Sequence, residues 1–358
     1  MVQFEKVFSI LRGRRVFVTG HTGFKGSWLI FLLRELGAEV TGFALAPTSP
    51  DSNFELLGLQ EHIHHILGDI RDGAHLARAV QDCQPEVVFH LAAQALVRPS
   101  YDDPSATFAT NVMGSTNLLE AVRHCDSIRS LVYITSDKCY ENNEWVWGYR
   151  ETDTLGGRDP YSASKAAAEL VYSSYQRSFF THRLGLGAAT VRAGNVIGGG
   201  DWAVDRIIPD CIRSIKAGNP VKLRNPQATR PWQHVLEPLS GYLLLAASLF
   251  NEPQRWSGAW NFGPSTHEVM TVNSVAQTII EYLGQGTVEI LPSQTPMHEA
   301  GLLQLNCDKA HQLLNWAPRW NVGETLKQTA FWYKAWLEGE LMVDVTRKQV
   351  REFFSELS

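Results

Sequence analysis

Cysteine is scarce. The 358 residues include five, Cys83, Cys125, Cys139, Cys211 and Cys307, and no two form a C-x-x-C pair. An odd number without paired spacing excludes a disulfide framework or zinc knuckle and fits a reducing compartment. Charge is thin as well: Asp, Glu, Lys and Arg make up 19% of the chain, against 44% hydrophobic residues. That balance excludes a disordered chain and allows a sizeable core. The formal net charge is −5, with no run of five basic residues, which argues against a nucleic-acid or membrane-surface binder. Long apolar runs are missing. The longest, Tyr242 to Phe250, is too short to span a bilayer, and Glu5 and Lys6 interrupt the first apolar residues, so no signal-peptide core forms. Repeats, heptads and low-complexity tracts are absent. Glu61-His62-Ile63-His64-His65 lacks the helical spacing of a metal site, so no metal is expected. A soluble cytoplasmic enzyme is the expectation.

What is present is alternation. Arg14–Gly20, Glu39–Leu45, His65–Ile70, Glu86–Ala93, Ser130–Ser136 and Gly187–Asn195 read as strands, mostly continuous apolar runs. Between them Ser27–Gly37, Ala74–Cys83, Pro104–His124 and Tyr161–Phe180 have helical periodicity. Strand–helix alternation with fully apolar strands predicts an α/β fold: a doubly wound parallel sheet with helices on both faces. Ligands in such sheets lie beyond the carboxyl ends of the strands. The rhythm changes after Asn195, where prolines and mixed short elements predict a smaller α/β lobe. The expected division is 1–194 with roughly 231–264 in the sheet domain, and 195–230 with 265–358 in the lobe. The eleven tryptophans are expected mainly in packing, with Trp145 and Trp147, just after the fifth strand, as better ligand candidates.

Three motifs carry chemistry. TGHTGFKG places Gly20, Gly23 and Gly26 between the first strand and first helix. Glycines there allow a tight turn and let backbone N–H groups meet a pyrophosphate at the helix N-terminus. The acid usually found after the second strand is missing, Ala44 and Leu45 standing in its place, and no arginine replaces it; a modestly held dinucleotide is predicted. Asp69 and Ile70, at the end of the third strand, are placed for the adenine, and the small Ala92 and Ala93 with Gln94 let backbone approach the cofactor. YSASK sets Tyr161 and Lys165 four residues apart on one helix face, where a lysine cation favours the phenolate. Such a tyrosine takes a proton from a sugar hydroxyl as hydride leaves the same carbon. TSDKCY adds Ser136, Asp137 and Lys138 at the catalytic edge of the sheet. Ser136 can bond the substrate oxygen, and the Asp–Lys pair suggests proton transfers beyond hydride transfer.

Together these residues resemble the extended short-chain dehydrogenase/reductase family, with its Rossmann-type sheet and NAD cofactor. TSDKCYENNEWVWGYRE, DPYSASK, VRAGNVIGGGDWAVDRIIPD and RPWQHVLEPLSGY look like the nucleotide-sugar 4,6-dehydratases, in the branch acting on CDP-glucose. Most such dehydratases carry Asp–Glu where this chain has Asp137–Lys138. The resemblance implies a cycle in which C4 is oxidised, water is eliminated across C5 and C6, and hydride returns to C6. Tyr161 would take the C4 hydroxyl proton, a neutral Lys138 the C5 proton, and a protonated Asp137 would release the C6 hydroxyl as water. It implies that Thr22, Phe24 and Asn111 join the cofactor site. Asn195, Arg230 and His234 would lie along the substrate diphosphate, Arg206, Ile207 and Arg224 near the nucleotide, and His298 at a phosphate or ribose. A homodimer through the helices Pro104–His124 and Tyr161–Phe180 is also implied.

Overall fold

The computed structural model describes residues 7, 9–265, 269–291 and 302–355. Seven parallel strands form the central sheet: β1 (Arg15–Thr19), β2 (Glu39–Ala44), β3 (His64–Leu67), β4 (Val87–His90), β5 (Ser130–Ile134), β6 (Gly187–Arg192) and β7 (Gly258–Asn261). Their order is β7-β6-β5-β4-β1-β2-β3. The expected doubly wound α/β sheet is therefore present, extended by a seventh strand that pairs Gly258–Asn261 with Ala189–Arg192.

Successive side chains leave a strand on opposite faces, so each strand feeds two cores. Val16, Val18, Val87, Phe89, Val132 and Val191 point to one side. There they meet helices α1 (Phe24–Glu35) and α6 (Leu236–Asn251), whose Trp28, Phe31, Leu239 and Leu243 are buried. Phe17, Phe43, Val88, Leu131 and Tyr133 point to the other. They meet α2 (Gly73–Cys83), α3 (Ser115–Arg123) and α4 (Pro160–Ser178) through Leu76, Val80, Leu118, Val122 and Tyr172. A helix that is apolar nearly all round belongs inside, and α6 buries almost its whole surface. Trp316, Trp320 and Trp332 are core residues, as their packing role predicts.

Beyond Asn195, outside α6 and β7, lie α5 (Ile207–Lys216), α7 (Val272–Leu283), α8 (Val322–Leu337) and α9 (Met342–Ser355). Two-residue and three-residue strand pairs link them, including Thr229–Arg230 against Met270–Thr271. Among the described residues, no helix is long and apolar enough to cross a membrane. The helix expected over Pro104–His124 is present without a break, as Pro104–Phe108, a π-helical turn Ala109–Gly114, and α3. The π turn carries Asn111, and such turns often mark functional sites.

Candidate active site

The strand order reverses between β1 and β4, the point at which sheets of this kind bind ligands beyond their strand ends. Gly20 leaves β1 at φ +73°, and a Cβ on it would stand 2.6 Å from the Ala92 nitrogen at the end of β4. A Cβ on Gly26 would meet the Gly20 carbonyl oxygen at 2.1 Å. Only hydrogen fits at either position. Helix α1 begins at Gly23 without a side-chain cap, so its first N–H groups remain for an anion. Phe24 opens the helix half-buried, and Thr22 Oγ1 donates to the Leu45 carbonyl at 2.9 Å. This glycine cradle fits a dinucleotide diphosphate on geometry alone.

Around it the polar residues hold the loops. Asn111 Oδ1 accepts from the Gln94 N–H at 2.8 Å, while its Nδ2 donates to the Gln94 carbonyl at 2.9 Å and to Ser164 Oγ at 2.8 Å. Asn111 is thus a buried tie between the loop after β4 and helix α4. Ala92 N–H donates to Thr19 Oγ1, and Ala93 lies beside it half-buried. Ile70 is buried and fills the space beside Gly114. Asp69, expected at the adenine, is held by Arg71. Its carboxylate closes on Arg71, accepting from Nη2 at 2.6 Å, Nε at 2.9 Å and the backbone N–H at 2.9 Å. The charged fork two residues away orients this partly exposed carboxylate.

Helix α4 starts at Asp159, whose carboxylate accepts from the Ser162 N–H and hydroxyl, with Pro160 in the first turn. That start fixes Tyr161 and Lys165 on one face, both buried. After β5, Ser136 caps a short 3₁₀ turn over Asp137–Cys139, accepting from the Lys138 N–H. Ser136 Oγ donates to Asp137 Oδ1 at 2.8 Å. A Cβ on Gly194 would fall 1.8 Å from Asp137 Oδ2, so glycine is required for the carboxylate to fit. Asp137 lines a small cavity with Gly194, Pro231, Gly263, Pro264 and Leu303–Leu305. Lys138 is half-buried on the same turn.

The electrostatics correct one expectation. Burial pushes the Tyr161 phenol up to about 12; a hydrogen bond from Ser136 pulls it back, Asp137 raises it, and Arg206 lowers it. Lys165 is not among these influences. Burial itself lowers Lys165 to about 8, with Cys139 and Glu169 drawing it up. Desolvation of both partners outweighs the attraction that their helical spacing suggests. Lys25, which the sequence did not single out, is a third cation here. Burial brings it to about 8, with Arg206 and Lys165 lowering it and Asp137 and Asp201 raising it. Its position inside TGHTGFKG was the available signal.

The expected substrate residues divide. Asn195 sits at φ +49°, a left-handed conformation that asparagine tolerates, and its carbonyl accepts from the Gln233 N–H. Arg230 is half-buried beside the Asp137 cavity, Nη1 donating to the Thr229 carbonyl. Arg206 pairs with Asp201 at 2.8 Å and directs its charge at Tyr161, nearer the chemistry than the nucleotide position expected of it. Ile207 begins α5 against the core. Arg224 is exposed and bonds Asp205 at 2.7 Å, an acid shared with Arg98. His234 corrects its prediction. It is fully buried between Trp28 and Trp320, with ring centroids 5.8 and 4.8 Å away, and presents no surface to a diphosphate. Burial lowers it to about 3, keeping it neutral. His298 lies outside the described residues.

A glycine cradle, a buried Tyr–Lys face and an Asp–Lys turn at one sheet edge define a dinucleotide enzyme acting on a hydroxylated carbon. The chain belongs to the GDP-mannose 4,6 dehydratase family, whose model matches residues 17–329. It is 50% identical over 349 residues to the CDP-glucose 4,6-dehydratase of Salmonella typhimurium, covering 96% of this chain and 97% of that protein. The dTDP-glucose 4,6-dehydratase of Xanthomonas campestris is 26% identical, over 90% of this chain and 95% of its own. The structure of Thermus thermophilus UDP-glucose 4-epimerase complexed with NAD superposes with a TM-score of 0.76 at 28% identity, covering 89% of this chain and 99% of that one.

Proposed function

We propose that the chain is a CDP-glucose 4,6-dehydratase, an NAD-dependent hydro-lyase that makes CDP-4-dehydro-6-deoxy-D-glucose and water. Half of all positions shared with the Salmonella typhimurium enzyme, across nearly the full length of both chains, carry this reading. The buried Asp137 beside Ser136 and Tyr161 supports elimination over simple epimerisation. Gly20, Gly23, Gly26, Ala92, Ala93 and the uncapped start of α1 would hold NAD. When bound, it supplies reversible acceptance of the sugar's hydride. Tyr161 takes the C4 hydroxyl proton, steadied by Ser136 and the Arg206 charge. Lys138 removes the C5 proton that the new ketone acidifies. Asp137 gives its proton to the C6 oxygen, which leaves as water. Arg230 and Asn195 face the substrate diphosphate, and Arg224 the nucleotide end.

The protein works in the cytoplasm as a homodimer in this reading. The exposed apolar residues Leu170 on α4, Met113 on the π turn and Phe108 just before it support such a contact. The test is proton NMR of the protein with NAD and CDP-glucose in D₂O. A new C6 methyl signal with deuterium at C5 is expected. A C4 epimer, or turnover of dTDP-, GDP- or UDP-glucose but not CDP-glucose, would overturn the assignment.

A further inference from the structure

Behind the Tyr161–Lys165 face lies a carboxylate that none of these steps uses. Glu169 continues the same face of α4 and is 3% exposed. Its Oε1 accepts from Thr135 Oγ1 at 2.5 Å and Arg192 Nε at 2.9 Å. Its Oε2 accepts from Thr190 Oγ1 at 2.9 Å and Arg192 Nη2 at 2.8 Å. Arg192 is buried equally, and its Nη1 donates to the Tyr140 hydroxyl at 2.7 Å and the Glu151 carbonyl at 3.2 Å. Tyr140 then donates to Asn261 Oδ1 at 2.8 Å, and Asn261 Nδ2 donates to the carbonyls of Tyr149 and Asn306. Asn306 follows Leu305, which lines the Asp137 cavity.

Stability is a poor reason to keep such a network. A buried ion pair is often matched or bettered by apolar residues of similar volume. A fully satisfied network does fix geometry. This site needs that, because its two stages use different elements. The oxidation residues Tyr161 and Lys165 ride on α4, while Asp137 and Lys138 ride on the turn after β5. Thr135 is the residue immediately before Ser136, so its bond to Glu169 ties the turn to the helix.

We propose that Glu169, clamped by Arg192, is a positioning residue that registers the oxidation helix against the elimination turn through Thr135. The groups that raise Lys165 are Cys139 from the turn and Glu169 from its own helix, and Lys165 in turn lowers Lys25 on α1 and His90 on β4. Burial holds the Cys139 thiol well above its ordinary range, and His90 is neutral at about 3. Glu169 is paired with Arg192 at 2.8 Å.

The inference rests on the roles given above to Tyr161 and Asp137, and Tyr161→Phe run alongside separates the two. Thr135→Val removes the hydroxyl's bond to Glu169 and its longer 3.4 Å bond to the Val191 carbonyl, and leaves the ion pair intact. Its kcat on CDP-glucose should fall about 10–100-fold with KM within about threefold, since small misplacements are that costly. Thr135→Ser should restore kcat. Glu169→Gln should lose kcat and move the pH limb that follows Lys165 downward, because its raising influence is gone. A folded Thr135→Val enzyme with parental kcat and pH profile overturns the proposal, as does Thr135→Ser no better than Thr135→Val. If Tyr161→Phe still turns over, the role assignment fails instead. If Tyr161→Phe is inactive while the Thr135 variants match the parent, only the positioning role falls.

Discussion

Replacing Ser136 with alanine probes the first proton transfer directly. Burial sets the Tyr161 phenol at about 12, roughly two units above free tyrosine, or about 3 kcal/mol against the phenolate. At pH 8 about one site in ten thousand is then ionised. The Ser136 hydrogen bond is the largest influence pulling the other way. Hydrogen bonds to a charged group are ordinarily worth about 1.5–3 kcal/mol. Ser136→Ala should therefore lower kcat/KM for CDP-glucose about 10–100-fold between pH 7 and 8. An acid that is harder to ionise needs a higher pH, so the ascending limb should move up by about one to two units. Ser136→Thr should keep both. The single Ser136 hydroxyl hydrogen goes to Asp137 at rest and must turn to Tyr161 as the phenolate forms, which makes Asp137→Asn the control. Asp137 raises Tyr161, so this variant should move the limb of the oxidation stage downward, the opposite direction. Initial rates from pH 5 to 10, all below the Tyr161 limb, read these moves as vertical offsets of the rising rate profile. An Ser136→Ala limb coincident with the parent's would refute the electrostatic account of Tyr161.

Three other outcomes are expected. Asp137→Asn should oxidise C4 but stall elimination, so reduced-nicotinamide absorbance accumulates. Gly194→Ala should do the same by displacing the carboxylate, its Cβ falling 1.8 Å from Asp137 Oδ2; parental turnover in either variant argues against Asp137 as the acid. Stability should drop in mild acid. His21, His90 and His234 are held to about 3 by burial, so an unfolded chain binds protons from about pH 6.5 downward that the native chain refuses. Their contribution is complete above that pH and falls by about 4 kcal/mol per unit below it for the three together. A urea midpoint unchanged between pH 7.5 and 5.5 would contradict this. Finally, Leu170→Glu with Met113→Glu should halve the sedimenting mass if these exposed side chains meet a second copy.

The glycine cradle, the Tyr161–Lys165 face, the Ser136–Asp137–Lys138 turn and six of the seven strands were legible in the sequence. Each is written in local spacing: glycines where a Cβ would strike backbone, side chains four apart on one helix, apolar runs of strand length. The rest is not local. β7 is four residues long, and its membership in the sheet depends on pairing with β6. His234 carries no local sign that Trp28 and Trp320, distant in sequence, enclose it. Arg224 looks available as a lone cation; folding supplies Asp205 as its partner. The same holds for charge. Spacing puts Lys165 beside Tyr161, but desolvation is set by everything packed around them, and it dominates both groups. Sequence determined which chemical groups face the sheet edge. Tertiary structure decided which are solvated, which are already paired, and which proton each can hold, because burial and long-range pairing are properties of the packed chain.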